Sequence, residues 1–184
     1  IGGNIDEITE MLDAHSQQLG QFAARNSQRH SELIYRKIDR YGEVQETIEK
    51  WLKVQVLWNS LVSVFTGGDI AKQMPNEAAL FKKIDKIWKK LMEELMNRKM
   101  SFQLAQMNVK AKFTLAQGDL EQCQRKLEQY LEQKRNVFPR FYFCSDSILL
   151  KILSQGQSDP NQIQDFLENL FDAVSKVKFH DFDK

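Results

Sequence analysis

Phe138-Pro139-Arg140-Phe141-Tyr142-Phe143 sets four aromatic rings around one proline and one arginine, between two stretches of helical periodicity. Pro139 has no amide hydrogen and disfavours the α region at Phe138, so a helix arriving from the N-terminal side ends there. Bulky aromatics sit well on a pleated, half-buried backbone, which predicts a short extended run near 139–143. Burying each ring is worth roughly 1.5–3 kcal/mol. The stretch therefore reads as a joint, with helices before and after it packed against one aromatic plug. An ordinary hydrophobic turn in a bundle accounts for the same composition. Arg140 is the one charge inside it. It is either stacked on a ring and salt-bridged within the chain, or reaches toward a partner surface.

Working outward, Asp119 is the expected start of the helix that runs into Phe138, with Leu120, Cys123, Leu127, Tyr130 and Leu131 inward. Glu121, Arg125, Glu128, Glu132, Lys134 and Arg135 fall on its outer side. Beyond the joint, Ser145 or Asp146 caps a short helix carrying Ile148, Leu149, Leu150, Ile152 and Leu153, which Gly156 is expected to end. Asp159-Pro160 reads as a second cap-plus-proline start. Ile163, Phe166, Leu167, Leu170, Phe171 and Val174 then mark a last helix. Val177-Lys178-Phe179 alternates like the start of a strand near 177–179, and a strand without a partner implies that more of the domain follows.

Upstream, Asn4 is a good N-cap for a helix with Ile5, Ile8, Met11, Leu12, Leu19 and Phe22 at helical spacing, broken near Asn26 to Gln28. Residues 31–65 carry the strongest helical signal. Ile34, Tyr41, Ile48 and Val62 lie on a seven-residue step, as do Val44, Trp51, Trp58 and Phe65. Such a helix runs roughly 50 Å. Two seams on one helix favour bundle packing over a two-stranded coiled coil. Gly67-Gly68 ends it, because glycine tolerates the left-handed cap conformation. Asp69 then caps a short turn. Pro75 opens the next helix, with Phe81, Ile84, Trp88, Leu91, Met92 and Leu95 on its buried face. Lys82, Lys83, Lys86, Lys89 and Lys90 make a basic edge along it, either a solvated face or a landing place for an acidic partner. Residues 99–118 read as a linker with some helix.

The totals narrow the function classes. In 184 residues, 26 basic side chains stand against 25 acidic ones, a balance with no overall pull toward nucleic acid or anionic lipid. Hydrophobic residues at 42% with charged residues at 28% suit a folded helical protein. Three prolines and eight glycines leave room for long helices. Two cysteines are too few for a disulfide framework, and Cys123 reads as a small buried thiol, in keeping with a reducing setting. No apolar run reaches bilayer length, no signal-peptide pattern opens the chain, and Ile1 suggests an excerpt from a longer chain. His15 and His30 have no partner at metal spacing. Gly-Gly-Asp at 67–69 lacks the Gly-Lys-Ser/Thr of a phosphate loop, and no serine neighbours a credible base. The expectation is no catalytic, cofactor-binding or metal site in this chain.

Three stretches taken together resemble one family. They are Trp51-Leu52-Lys53-Val54-Gln55 with Trp58; Phe65-Thr66-Gly67-Gly68-Asp69-Ile70-Ala71-Lys72-Gln73-Met74-Pro75; and Tyr130 to Phe143, with Ser145-Asp146 and Leu149-Leu150. In that order they resemble the linker region of dynein heavy chains, the Gly-Gly-Asp-Ile-Ala-Lys-Gln form being closer to the axonemal outer-arm type. Residues 96–118 are shorter and less regular than that family shows, and 22–31 match weakly. The resemblance implies an all-α fold of elongated helical bundles, one portion over 1–137 and the joint with a following helical portion over 138–184. It also implies a lever lying across a ring of six AAA+ modules in the same heavy chain. ATP and Mg would sit in that ring, and microtubules and other dynein subunits would be partners of the parent complex. The implied location is the axoneme of a cilium or flagellum, with the cytoplasm as the alternative. On this reading Trp51, Trp58, Phe65, Gly67, Gly68 and Asp69, with Phe138 to Phe143, are structural motif residues. A free-standing helical scaffold that binds partner helices fits the same periodicities.

Overall fold

The computed structural model describes residues 5–25, 31–67, 69–97, 109–158 and 160–178. Seven α-helices and two 3-10 helices account for nearly all of them: α1 Ile5–Arg25, α2 Ser31–Gly67, α3 Asp69–Gln73, α4 Pro75–Asn97, α5 Val109–Val137, α6 Asp146–Ser158 and α7 Leu167–Leu170. The 3-10 helices span Pro139–Phe143 and Pro160–Phe166. The all-α expectation holds, with no strand among the described residues.

Periodicity explains α2. Val44, Thr47, Val54, Leu61 and Phe65 are buried, and Trp51 and Trp58 partly so, which puts one seam on alternating steps of three and four residues. That spacing keeps a single stripe facing its neighbours along the whole helix. The other seven-residue series, Ile34, Tyr41, Ile48 and Val62, is only half-buried. Thr47, the one buried polar residue of the described set, satisfies its hydroxyl by donating to the Glu43 carbonyl at 2.7 Å. On α4, Phe81, Ile84, Trp88 and Leu91 repeat the three-four spacing.

Contacts group the chain into two compact units. The first takes α1, α2 to Gln55, the end of α4 from Lys90 and the start of α5 to Gln117. Within it Trp51 stacks on Phe113 at 5.9 Å, Glu46 pairs with Lys110, and His15 lies 6.3 Å from Tyr41. Ile8, Met11 and Phe22 of α1 remain largely exposed. The second takes α2 from Val56, α3, α4 to Lys89, α5 from Gly118 and everything after it. There Trp58 stacks on Trp88 at 6.2 Å and Phe65 on Phe81 at 5.6 Å, zipping α2 to α4. α6 packs on α3 and on the second 3-10 helix.

Several expectations are corrected. The segment 139–143 is helical rather than extended. Phe141 N–H donates to the Phe138 carbonyl at 3.0 Å and Cys144 N–H to the Phe141 carbonyl at 3.2 Å. Only Phe138 and Cys144, at its ends, are extended. An extended run needs a neighbouring strand to satisfy its amides, and none is at hand, so local bonds one turn apart take over. Pro139 suits that outcome, its fixed φ serving a first helical position. The strand start is likewise absent: Val177 and Lys178 are irregular, and Phe179 lies outside the described residues.

Helix boundaries also move. α5 starts at Val109, ten residues before Asp119, because Val109 and Phe113 continue the buried face of Leu120, Cys123, Leu127 and Leu131. Gly118 stands in open space inside it, a loss of about 1 kcal/mol relative to alanine that the packed face outweighs. Residues 99–108 lie outside the described set, as do Asn4, 26–30, Gly68 and Asp159. α6 does not end at Gly156 but at Ser158, and Gly156 serves packing instead. A Cβ there would stand 2.8 Å from Cδ1 of Ile163. The last helix is a 3-10 turn followed by four residues of α-helix, with Val174 beyond its end.

Candidate functional site

The motif residues fall into two groups. In the aromatic zipper of the second unit, Trp58 is oriented by its indole N–H, which donates to Asp85 Oδ1 at 3.0 Å. Asp85 in turn pairs with Lys89 at 2.8 Å, so the carboxylate is held on both sides. Phe65 is buried against Phe81, which has no exposed surface. Tyr130 donates its hydroxyl to Gln73 Oε1, tying α5 to α3, while Gln73 Nε2 finds no hydrogen-bond partner among the described residues. Cys123 lies 3.9 Å from the Glu77 carbonyl at the start of α4. Burial pushes its thiol up to about 11, with Glu77 and Asp119 adding to the shift. Trp51 belongs to the first unit, where its indole N–H has no partner among the described residues. Gly67 ends α2 and Asp69 begins α3.

The second group is the joint. It is not a buried aromatic plug: no residue of 139–143 is buried, and Tyr142 is 53% and Phe143 75% exposed. Phe138 and Phe141 meet edge to face at 4.9 Å, and the buried member of the stretch is Cys144. Arginine heads fix the turn. Arg135, in the last turn of α5, donates through Nη2 to the Cys144 carbonyl at 3.1 Å and to Asp146 Oδ1 at 2.7 Å. Its Nε reaches the Phe141 carbonyl at 3.4 Å, and the head lies 6.0 Å from the Tyr142 ring. Arg140 donates to the Leu170 carbonyl at 3.2 Å and sits 4.6 Å from the Phe171 ring. The internal role expected of Arg140 thus holds in its stacking, with a backbone carbonyl in place of a salt bridge. The Tyr142 hydroxyl donates to Glu132 and lies 3.0 Å from Asn136 Oδ1. That bond to the Glu132 carboxylate is the main reason its phenol is held above the usual range.

Arg135 is the residue a helical wheel misses, since it counts as outward-facing. The available signal is position: a cation in the last turn is placed to meet carbonyls left unpaired beyond a helix end. Its side chain is only 15% exposed, and the planar fork serves three acceptors at once. Replacing Arg135 with alanine is expected to loosen the turn by about 2 kcal/mol, seen as roughly thirtyfold faster hydrogen exchange at the Cys144 amide. Arg135→Lys should recover part of that protection through Asp146. Unchanged exchange in Arg135→Ala would show that the turn is set by Pro139 alone.

No cluster of three or more His, Cys, Asp or Glu able to hold a metal occurs among the described residues. No described helix is long and apolar enough to cross a membrane. Cys144, like Cys123, has its thiol raised by burial, which disfavours the nucleophilic thiolate.

Residues 1–184 match the family model described as "Dynein heavy chain, N-terminal region 2". The chain is 35% identical over 183 residues to human "Dynein axonemal heavy chain 10", covering 98% of this chain and 4% of that protein. It is 47% identical over 151 residues to rat "Dynein axonemal heavy chain 5", covering 74% and 4%. It is 36% identical over 181 residues to "Dynein gamma chain, flagellar outer arm" of Chlamydomonas reinhardtii, covering 97% and 4%. The chain thus spans about 4% of the length of the curated relatives it matches.

Proposed function

The chain belongs to the dynein heavy chain family, matching its N-terminal region 2, and from that membership we propose that it is a lever segment of an axonemal motor. In this reading the segment carries out no reaction. A ring of AAA+ modules elsewhere in the heavy chain binds ATP with Mg, and this segment converts the ring's changes into displacement along a microtubule in a cilium or flagellum. The ring, other dynein subunits and the microtubule are its partners through the parent complex.

The observation that carries the reading is the aromatic zipper within the second unit, where Trp58 stacks on Trp88 and Phe65 on Phe81 and so joins α2 laterally to α4. An α-helix is stiff along its axis because every turn is hydrogen-bonded to the next, and two laterally packed helices resist bending more than one. Such an element passes force along its length. The joint at Phe138 to Cys144, held by Arg135 and Arg140, fixes the direction in which the chain leaves α5.

Single-molecule energy transfer tests the proposal in the full heavy chain. A donor on Met11→Cys, an exposed position of α1, is paired with an acceptor on the ring. Transfer should switch between two values as ATP binds and leaves. A single nucleotide-independent value would remove the lever.

A further inference from the structure

One surface of α4 carries a row of lysines. Lys82, Lys83, Lys86 and Lys89 are all exposed, and Asp85 is the one acid within residues 80–92. Asp85 is already committed to Trp58 and Lys89. Lys82, Lys83 and Lys86 form no ion pair among the described residues. Lysines 82, 86 and 89 stand at i, i+4 and i+7, a straight row roughly 10 Å long on the helix surface. Lys83 and Ile87, the latter 49% exposed, flank that row.

Like charges at these spacings repel one another, and Asp85 relieves that repulsion only at Lys89. On α5, by contrast, the outward face interleaves Glu121, Arg125, Glu128, Glu132 and Lys134, although α1 carries an acidic row of the same spacing at Asp6, Glu10 and Asp13. The row is also held rigidly, because Phe81, Ile84 and Trp88 anchor the opposite side of α4 in the core.

We propose that this face of α4 docks an acidic helix of a protein partner, one presenting carboxylates at i, i+4 and i+7 over Lys82, Lys86 and Lys89. A straight row of lysines matches a second helix laid along it, and the exposed Ile87 gives that helix an apolar contact. A phosphate backbone or an anionic membrane would ask for a broader positive field, and the formal charge of the chain is only +1. The inference is independent of the lever: either can fail alone.

The test uses the full heavy chain and two 21-residue alanine-rich helical peptides of identical composition. One carries glutamates at i, i+4 and i+7, and in the other the same glutamates are spread around the helix. Carbodiimide, which joins a carboxylate to an amine at contact distance, is applied and the products are mapped by mass spectrometry. Coupling at Lys82, Lys86 and Lys89 should be about tenfold stronger with the aligned peptide, as three favourable ion pairs imply. Lys82→Gln/Lys86→Gln/Lys89→Gln should weaken binding of the aligned peptide by a similar factor. Equal coupling of the two peptides, or full binding by the triple variant, would overturn the proposal. So would displacement of the aligned peptide by duplex DNA or phosphatidylserine vesicles of matched charge at lower concentration.

Discussion

Phe81→Ala is expected to destabilise the second unit by about 3–5 kcal/mol, the largest loss of any single side-chain truncation considered. Phe81 has no solvent-exposed surface and stacks on Phe65, so truncation removes the ring's transfer free energy and leaves a cavity between α2 and α4. The cavity cannot collapse easily, because Ile84 and Trp88 on the same face are themselves locked, the latter against Trp58. Native-state hydrogen exchange at the α2 amides from 57 to 66 should report the loss, because those amides are protected by the same packing. The control is Phe143→Ala. That ring is 75% exposed and its removal should stay within about 0.5 kcal/mol. Equal effects at the two positions would mean that the zipper between α2 and α4 does not hold the unit.

The contrast between those two phenylalanines shows what composition conveys and what it does not. Six-residue density of aromatics drew attention to 138–143, yet the rings there sit at a chain turn with solvent on one side. Phe81 attracts less notice in the sequence but occupies the centre of a three-four seam. Seams were legible: Val44, Trp51, Trp58 and Phe65 on α2, and Phe81, Ile84, Trp88 and Leu91 on α4, all face packing partners or the core. Helix ends were less so. Asp119 reads as a helix start, but the helix runs through Gly118 before it, since one glycine in open space costs too little to stop a helix whose apolar face continues on both sides. At Gly156 the residue type reflects the approach of Ile163 from a different element, which no local rule anticipates. The hold on the joint was partly legible. Arg140 was singled out as the charge among the rings, whereas Arg135 looked like surface. Its partners, the Cys144 carbonyl and Asp146, lie past a turn whose course the sequence leaves open.

In the proposed lever role, stiff helices such as α2 act on chemistry done elsewhere in the heavy chain. Val56 on α2 allows a clean challenge, being 68% exposed and so carrying little packing of its own. Val56→Pro removes one backbone hydrogen bond and sets the ring against the carbonyl of Leu52, a penalty of about 3 kcal/mol or more concentrated at one point of the helix. Val56→Ala leaves the helix intact and serves as the reference. Microtubule gliding velocity and ATP turnover are then measured together on the full heavy chain. Val56→Pro is expected to slow gliding several-fold while basal ATP turnover persists, with Val56→Ala matching the parent in both. Gliding at full speed with the proline in place would contradict the lever role, as would loss of ATP turnover in step with motility.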